Sequence, residues 1–405
     1  MVAALLMILA GALAFAAGFF VARKRLARRV EVAPEAAPIE PVAAIEPIEP
    51  IAPIEPIEPP ADVFVRFDLV APRGTRSLAL SDHDEAWRAA MRDVGKQLDA
   101  ADVAAVVFVH GSFVGTDPLS ALPVLEATAG RSLAKALGKR TREIVDRWLG
   151  DLGNFGPSYV RLFEEAIGGS IPCTTFVWSS ENHHVGRLEG ALDLVRVIAT
   201  HAELAASSRG KKRVLVVGHS HAGQIFALVT QLLARSLASE AIRDVARARS
   251  LDVGSLDVDL ASLDASRVDF VTFGAPARYA WASVPGVRSL HVVHRRSPHD
   301  PSTPRLRLTG SDWVRRAGSA RSDFPALASN ERRLNASLDG ALSRAVDHER
   351  PAHGQLVLVD YGEERLASLV ASGLGHGMYT RLDGMLFHAS LVASRLYEPA
   401  REAST

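Results

Sequence analysis

Seven short apolar runs, rich in valine, phenylalanine and leucine, recur along the chain between residues 63 and 361. Near-continuous apolar runs of this length are typical of strands that are buried on both faces of a parallel sheet. We therefore expect strands over residues 63–70, 103–109, 174–178, 213–217, 268–273, 289–293 and 355–361.

Apolar residues spaced three and four positions apart predict helices between these strands. One such pattern covers residues 185–206, and another follows Ser220 with Ile225, Leu228, Val229, Leu232 and Leu233. An alternation of buried strands and amphipathic helices predicts an α/β fold with a doubly wound, mostly parallel sheet.

Two connections are much longer than the others. Residues 114–170 separate the second and third strands and contain patterns that predict helices over 132–149 and 159–167. Residues 301–352, rich in arginine and polar residues, separate the last two strands. Connections of this length are usually lids or binding elements, so we expect helical, lid-like insertions here.

The chain begins with a long apolar segment. Residues 2–22 carry no charge, and Arg23, Lys24, Arg25, Arg28 and Arg29 follow at once. About 20 apolar residues suffice to cross the hydrocarbon core of a membrane. Because the positive charge follows the apolar segment, residues 1–22 are predicted to be an uncleaved, single-pass anchor whose C-terminal side is cytoplasmic. The alternative is an atypical cleaved signal peptide.

Residues 23–60 form the basic flank and a linker. The units Ile-Glu-Pro and Ile-Ala-Pro repeat with a period of three over residues 45–59. Polyproline II has three residues per turn, and proline-rich segments act as semi-rigid spacers without a core. Residues 61–400 are then expected to form the globular domain.

Composition excludes some classes of protein. The 405 residues include 46 basic and 46 acidic ones, so the formal net charge of zero gives no indication of nucleic-acid binding. Cys173 is the single cysteine, which excludes an internal disulfide framework and suits a reducing compartment. We expect it to be a small buried residue beside a strand.

The segment Gly218-His-Ser-His-Ala-Gly223 lies between a predicted strand and a predicted helix. A strand that turns sharply into a helix strains the backbone at the turn and exposes the turn residue, here Ser220, at the end of the strand. The positions two before and two after must be small, as Gly218 and Ala222 are. The segment departs from G-x-S-x-G only at Ala222, and it predicts a serine nucleophile.

His219 and His221 offer an alternative interpretation of the same segment, as half of a metal site. A binuclear zinc motif of the form H-x-H-x-D-H would require aspartate and histidine next, where Gly223 and Gln224 stand. Histidines on either side of a turn serine would also point to different sides. We therefore predict no metal site here.

Acyl transfer needs two hydrogen-bond donors for the oxyanion. The backbone N–H of His221, directly after the nucleophile, is the first candidate. The second is expected from the loop that follows an earlier strand, where Gly111 permits a close approach and Ser112 or Phe113 supplies an N–H. His110, before this step, is expected to order the loop.

A serine nucleophile also needs a base and an acid that orients it. His376 lies beyond the last predicted strand, in a glycine-rich segment, and is preferred over His388, which lies in a helical apolar pattern. Asp300 follows the strand over 289–293 and is the candidate acid. Asp312 and Asp264 are the alternatives. The segment 182–184, Asn-His-His, follows a strand end and either faces the pocket or forms a solvated turn.

Together these segments resemble the α/β-hydrolase family of serine lipases and esterases, including the class 3 lipases. The resemblance rests on the serine turn, on His110-Gly111, on the run Val271-Thr-Phe-Gly-Ala-Pro276, on Asp300-Pro301 and on His376-x-x-Tyr379. It covers residues 100–395 in scattered blocks. It implies an ester hydrolase without a cofactor, with Ser220 as nucleophile, His376 as base and Asp300 as the acid that orients the base.

The sequence thus predicts a membrane-anchored serine hydrolase of carboxylic esters. The anchor makes lipid or long-chain esters the expected substrates. The non-enzymatic alternative is a tethered scaffold whose hydrolase fold has lost activity, since fold alone does not determine function.

Overall fold

The computed structural model describes residues 63–67, 77–111, 116, 132, 136, 139–140, 142–143, 154–209, 213–295, 323, 329–342, 354–361 and 376–398. The predicted anchor and linker lie outside the described residues, as does most of the helix expected over 132–149. The prediction of a domain over 61–400 stays a prediction.

Seven parallel strands form one sheet in the described part of the chain. Each of the seven apolar runs contributes one of them, which confirms the expected α/β fold with a parallel sheet. The strands are β1 (Val63–Arg66), β2 (Val103–Val109), β3 (Cys173–Phe176), β4 (Arg213–His219), β5 (Val268–Phe273), β6 (Arg288–His294) and β7 (Gln355–Asp360).

Eight helices accompany the sheet among the described residues. They are α1 (Glu85–Ala100), α2 (Pro157–Ala166), α3 (His184–Arg209), α4 (Ala222–Leu233), α5 (Leu237–Ala248), α6 (Val253–Ser262), α7 (Ser329–Leu342) and α8 (Met385–Tyr397). Short 3-10 turns cover Leu80–Asp82, Ala265–Arg267, Met378–Thr380 and Leu382–Gly384.

Two apolar cores lie on opposite faces of the sheet. Side chains of α1, α2 and α8 pack on one face, around Phe108 and Val217. Side chains of α3 to α7 pack on the other, around Val107 and Val216. Neighbouring residues of one strand thus belong to different cores, which explains why β2 and β4 are buried at every position and why their sequences do not alternate.

The strand order is β1-β7-β6-β5-β4-β2-β3. The chain runs from β2 outward to β3, returns across β2 to β4, and then adds β5, β6 and β7 in succession. The direction of winding therefore reverses between β2 and β4, which are paired up to Val109 and Gly218. In open parallel sheets, ligands bind beyond the carboxyl ends of the strands at such a reversal.

Among the described residues, none of the individual helices has the length and apolarity needed to cross a membrane. The bent pair α4 and α5, whose axes differ by 106°, meets that criterion by length and composition. Most of α4 is buried between the sheet and its neighbouring helices, as expected of a core helix. The N-terminal anchor stays a prediction.

Candidate active site

The turn after β4 holds Ser220 in the left-handed region of backbone conformation, with φ of 57°. This conformation is uncommon for a residue other than glycine and is strained. Two backbone hydrogen bonds join it to its surroundings: the Ser220 N–H donates to the carbonyl of Phe273 at 2.8 Å, and the N–H of Gly223 donates to the Ser220 carbonyl at 3.0 Å. The sharp strand–turn–helix geometry is the one expected around Ser220.

Small residues make this turn possible. A Cβ at Gly218 would lie 2.4 Å from the ring of Phe226 and 2.8 Å from the Cβ of Ala222. A Cβ at Gly223 would lie 2.4 Å from the Cβ of Ala275, because α4 packs closely on the segment after β5. Alanine at position 222 is accommodated, so its departure from G-x-S-x-G does not disturb the turn.

Gly111 brings the end of β2 against this turn. A Cβ at Gly111 would lie 2.7 Å from the Cβ of Ser220 and 3.1 Å from the carbonyl oxygen of His219. Only glycine permits this approach, which agrees with the close contact expected there. Ser112 and Phe113, the candidates for the second oxyanion donor, lie outside the described residues, so that donor stays a prediction.

His110 orders the loop after β2. Its Nε2 accepts from the N–H of Trp178 at 3.2 Å, and its Nδ1 lies 2.8 Å from the carbonyl oxygen of Gly111. Ser180, buried and left-handed with φ of 67°, also donates to the Gly111 carbonyl at 2.9 Å. Burial lowers the pKa of His110 to about 3, with a smaller contribution from Arg142. A neutral, fully engaged imidazole of this kind is structural.

His221 occupies the N-cap position of α4. Its backbone N–H has no acceptor among the described residues, and it lies at the positive end of the helix dipole. Its Nδ1 lies 3.3 Å from the hydroxyl oxygen of Ser220. Burial, and next the charge of Arg187, hold the pKa of His221 well below its usual value. The imidazole is therefore a poor proton acceptor, whereas the backbone N–H is available to an oxyanion.

His376 lies beside the serine turn, as the sequence predicted for the base. Its carbonyl oxygen accepts from Nε2 of His219 at 2.8 Å, and the two rings lie 4.5 Å apart. The side chain is 9% exposed at the carboxyl edge of the sheet. The described side chains of Ser220 and His376 share no hydrogen bond, since the Ser220 hydroxyl pairs with His221. Catalytic hydrogen bonds are often absent before substrate binds.

His388 lies in α8, inside the core. Its Nε2 pairs with the hydroxyl of Tyr361 at 2.8 Å, and its ring lies 4.8 Å from that of Phe273. Burial lowers its pKa to about 3. This environment is that of a neutral core histidine, as the helical apolar pattern suggested.

Of the three candidate acids, only Asp264 lies among the described residues. Asp300 and Asp312 lie outside the described residues, so the assignment of Asp300 stays a prediction. Asp264 is exposed and caps the 3-10 turn that precedes β5. It therefore lies at the amino edge of the sheet, whereas Ser220 and His376 lie at the carboxyl edge. As an alternative acid for the triad, Asp264 is wrong.

The metal alternative finds no geometric support in the described residues. Nε2 of His219 is engaged by the His376 carbonyl, whereas Nδ1 of His221 faces the Ser220 hydroxyl. Within the described part of the chain, histidine, cysteine, aspartate and glutamate form no group of three or more with an arrangement suited to a metal ion.

The sequence analysis did not predict a buried ionic cluster that Arg187, Arg278 and Asp323 form. Nη2 of Arg187 lies 2.7 Å from Oδ1 of Asp323, and Nη2 of Arg278 lies 2.7 Å from Oδ2 of the same carboxylate. Both arginines are buried. Burial by itself raises the carboxyl pKa of Asp323. The charges of Arg187 and Arg278 lower it by more, so the net effect is a lowered pKa. Asp323, from the second long connection, thus joins the segment after β5 to the start of α3.

His184 and Tyr279 extend this ionic cluster. The Tyr279 hydroxyl accepts from Nη1 of Arg187 at 2.9 Å and pairs with Nδ1 of His184 at 2.6 Å. Nε2 of His184 faces Asp339 at 3.2 Å. Burial, and then the charge of Arg187, lower the pKa of His184 to about 4. The solvated turn is the wrong alternative for segment 182–184, because all three residues are buried; that the segment faces the pocket stays a prediction.

Gln224 adds a polar side chain one turn into α4. It is 1% exposed, and among the described residues neither its amide oxygen nor its amide nitrogen has a hydrogen-bond partner. The apolar pattern after Ser220 predicted a buried helix. A glutamine in that helix, three positions after His221, was the sequence signal that could have indicated a buried polar residue near the turn.

Comparison of the chain with models of protein families, with curated proteins and with solved structures found no match.

Proposed function

We propose that this protein is a serine hydrolase that cleaves carboxylic esters through an acyl-enzyme. One observation carries the proposal: the strained turn at Ser220, with φ of 57°, stands where the winding of the sheet reverses, and the His221 N–H beside it has no acceptor among the described residues. Backbone strain is retained at functional sites, and a free N–H at a helix terminus suits an oxyanion.

In the proposed mechanism, the Ser220 hydroxyl oxygen attacks the ester carbonyl and its proton passes to His376. The His221 N–H, with a second donor expected from Ser112 or Phe113, stabilises the oxyanion. When the C–O bond of the ester breaks, His376 returns the proton to the departing alcohol. A water then attacks the acyl carbon as His376 takes its proton. The bond between that carbon and the Ser220 oxygen breaks, His376 returns the proton to Ser220, and the acid is released. Asp300 orients His376.

The base in this scheme is His376 and not His221, although His221 is the hydrogen-bond partner of Ser220. A general base must hold the proton transiently, and burial together with Arg187 disfavours the protonated form of His221. His376 lies at the carboxyl edge, joined to the turn through His219.

The predicted N-terminal anchor supports a membrane-tethered enzyme with its globular domain in the cytoplasm, and lipid or long-chain esters as substrates. An apolar cavity lined by Phe108, Phe155, Tyr159, Phe273 and His388 has a volume of about 30 Å³, room for only a water-sized group. A long acyl chain would have to bind outside that cavity.

The test is steady-state hydrolysis of short and long p-nitrophenyl esters by the full-length protein in non-ionic detergent. Ser220→Ala should abolish turnover. Ser239→Ala, which alters another buried serine on α5, is the matched control and should leave turnover unchanged. A folded wild-type protein without turnover would favour the scaffold alternative.

A further inference from the structure

Polar groups line one side of the serine turn. Gln224 follows His221 by one helical turn, and the packing of Gly223 on Ala275 brings α4 against the segment that leads to Arg278. A Cβ at Gly190 would lie 3.1 Å from Cδ1 of Ile225, so α3, which carries Arg187, packs on α4 beside Gln224. The charges of Arg187 and Arg278 both act on His221. We call the set Gln224, His221, Arg187 and Arg278 the polar wall.

Gln224 is the most informative member of the polar wall. It occupies the third position of α4, from which a glutamine side chain commonly accepts a hydrogen bond from the N-cap N–H, forming a capping box. Here the N-cap is His221, and that bond is not formed, since neither group has a partner in the described part of the chain. A buried amide without a partner is unfavourable in a resting protein and calls for an explanation.

The guanidinium groups present further open donors. Nη2 of Arg278 and Nη2 of Arg187 bind Asp323, whereas Nε and Nη1 of Arg278 and Nε of Arg187 are buried without an acceptor among the described residues. Nε2 of His221 is likewise buried without a partner there. Two acceptors, Oε1 of Gln224 and Oδ2 of Asp323, also lack a hydrogen-bond partner in the described part of the chain, but the open donors outnumber them. The complementary ligand therefore offers acceptor oxygens.

The net charge of the ionic cluster indicates whether the ligand's acceptor oxygens are charged or neutral. Arg187 and Arg278 face Asp323, and Arg278 also faces Asp339 at 3.4 Å. Two positive charges thus meet two negative ones, and Asp323 has a lowered carboxyl pKa. A ligand carboxylate would add an unbalanced negative charge beside Asp323, whereas ether, hydroxyl or carbonyl oxygens would add none.

We propose that the polar wall is a substrate subsite for neutral oxygen acceptors, so that the esters cleaved carry ether, hydroxyl or carbonyl oxygens on the acyl or the alcohol side. This inference rests on the proposed function, because it specifies the substrate of the same serine. Donors without a partner in the resting protein would gain one on substrate binding, and an alkyl chain in the same place would leave them unsatisfied.

The test uses the full-length protein and esters matched in length. The acyl series is p-nitrophenyl heptanoate, 5-methoxypentanoate and the monoester of hexanedioate; the alcohol pair is octyl acetate and 2-(2-ethoxyethoxy)ethyl acetate. Each kcat/KM is divided by the rate constant for hydrolysis by hydroxide, which removes intrinsic reactivity. We expect the neutral oxygen-bearing ester of at least one series to exceed its alkyl match by about tenfold or more.

Gln224→Leu is the decisive variant, and Gln231→Leu is its matched control in the same helix. Gln231 is also buried, but its amide nitrogen donates to the Ala280 carbonyl at 2.8 Å and its oxygen accepts from Ser236. Gln224→Leu should lower the preference for oxygen-bearing esters severalfold and leave the Tm unchanged or higher. Gln231→Leu should lower the Tm and leave the preference intact.

Equal or preferred turnover of the alkyl esters in both series would overturn the subsite while leaving the serine hydrolase in place. Preferred turnover of the hexanedioate monoester would overturn the neutral character of the ligand. A Gln224→Leu variant that keeps the full preference would remove Gln224 from the subsite and contradict the inference as stated. Absence of turnover with every ester, from a folded protein, would reject the proposed function itself and the subsite with it.

Discussion

Nε2 of His219 donates a hydrogen bond to the carbonyl oxygen of His376 at 2.8 Å, across 157 residues of chain. This bond joins the turn that holds Ser220 to the segment that follows β7. The two rings also lie 4.5 Å apart. His219, which directly precedes the proposed nucleophile Ser220, therefore helps to fix the position of the proposed base His376.

Replacing His219 should disturb catalysis through His376. His219→Phe keeps an aromatic ring but removes the donor, and we expect kcat to fall by roughly 10 to 100-fold with a smaller change in KM, since small displacements of catalytic groups have effects of that order. His219→Gln, which keeps a donor, should recover part of the loss. The measurement is the pH profile of kcat/KM for both variants. Identical profiles and rates for the two variants would argue against a positioning role.

The two histidines of the C-terminal segment should respond differently to substitution. His376→Asn should lower kcat by roughly 10²- to 10⁴-fold, the usual contribution of a general base, with little change in Tm. His388→Gln should lower the free energy of unfolding by about 1–3 kcal/mol, because it disturbs the buried bond to Tyr361. Its kcat per folded molecule should stay near that of the wild type. The reverse pattern would make His388 the base.

The approach of β2 to the serine turn predicts an intolerant glycine. In Gly111→Ala the new Cβ would lie 2.7 Å from the Cβ of Ser220, so we expect loss of activity by about 100-fold or more and destabilisation by about 1–3 kcal/mol. Gly340→Ala is the control, because its Cβ on α7 would meet open space and should stabilise the protein by about 0.5–1 kcal/mol. Thermal melts and ester turnover measure both. Full activity in Gly111→Ala would contradict the geometry of the turn.

Stability should fall in mild acid because His110, His184, His221 and His388 are buried in the neutral form. Burial lowers the pKa of His110 and His388 to about 3 and that of His184 to about 4, against about 6.5 in an unfolded chain. Below pH 6.5 the unfolded state binds more protons, so the free energy of unfolding declines as pH falls towards 4, by at most about 1.4 kcal/mol per pH unit for each histidine. Above pH 6.5 their contribution is complete.

Urea unfolding between pH 7.5 and 4.5 measures this decline. His388→Gln removes one of these titrating groups, so its stability should depend less steeply on pH than that of the wild type. A wild-type stability that is constant between pH 6.5 and 4.5 would contradict the assignment of these histidines as neutral and buried.

Most of the fold could be predicted from local patterns of apolar residues in the sequence. Each strand between Val63 and Asp360 lies in an apolar run, because helices cover both faces of the sheet and leave no polar side for the strands to display. The pattern did not give the strand order. That β1 pairs with β7 follows from contacts between segments almost 300 residues apart, and neighbouring residues along the chain do not encode them.

The candidate site divides in the same way. The strained turn at Ser220 could be predicted because Gly218 and Ala222 stand beside it in the sequence. The polar wall could not be predicted, because its residues Arg187 and Arg278 come from separate segments. They meet only in the folded protein, where both contact Asp323 of a third segment. A lone arginine in a helical pattern normally indicates a solvated face, whereas the first half of α3 is buried on nearly all sides.

The most direct test of the central claim is covalent labelling of the full-length protein by a fluorophosphonate, with the modified residue located by mass spectrometry of its peptides. We predict a single adduct on Ser220, abolished in Ser220→Ala and formed far more slowly in His376→Asn. A folded protein that takes up no label, or an adduct on another residue that persists in Ser220→Ala, would contradict Ser220 as the nucleophile.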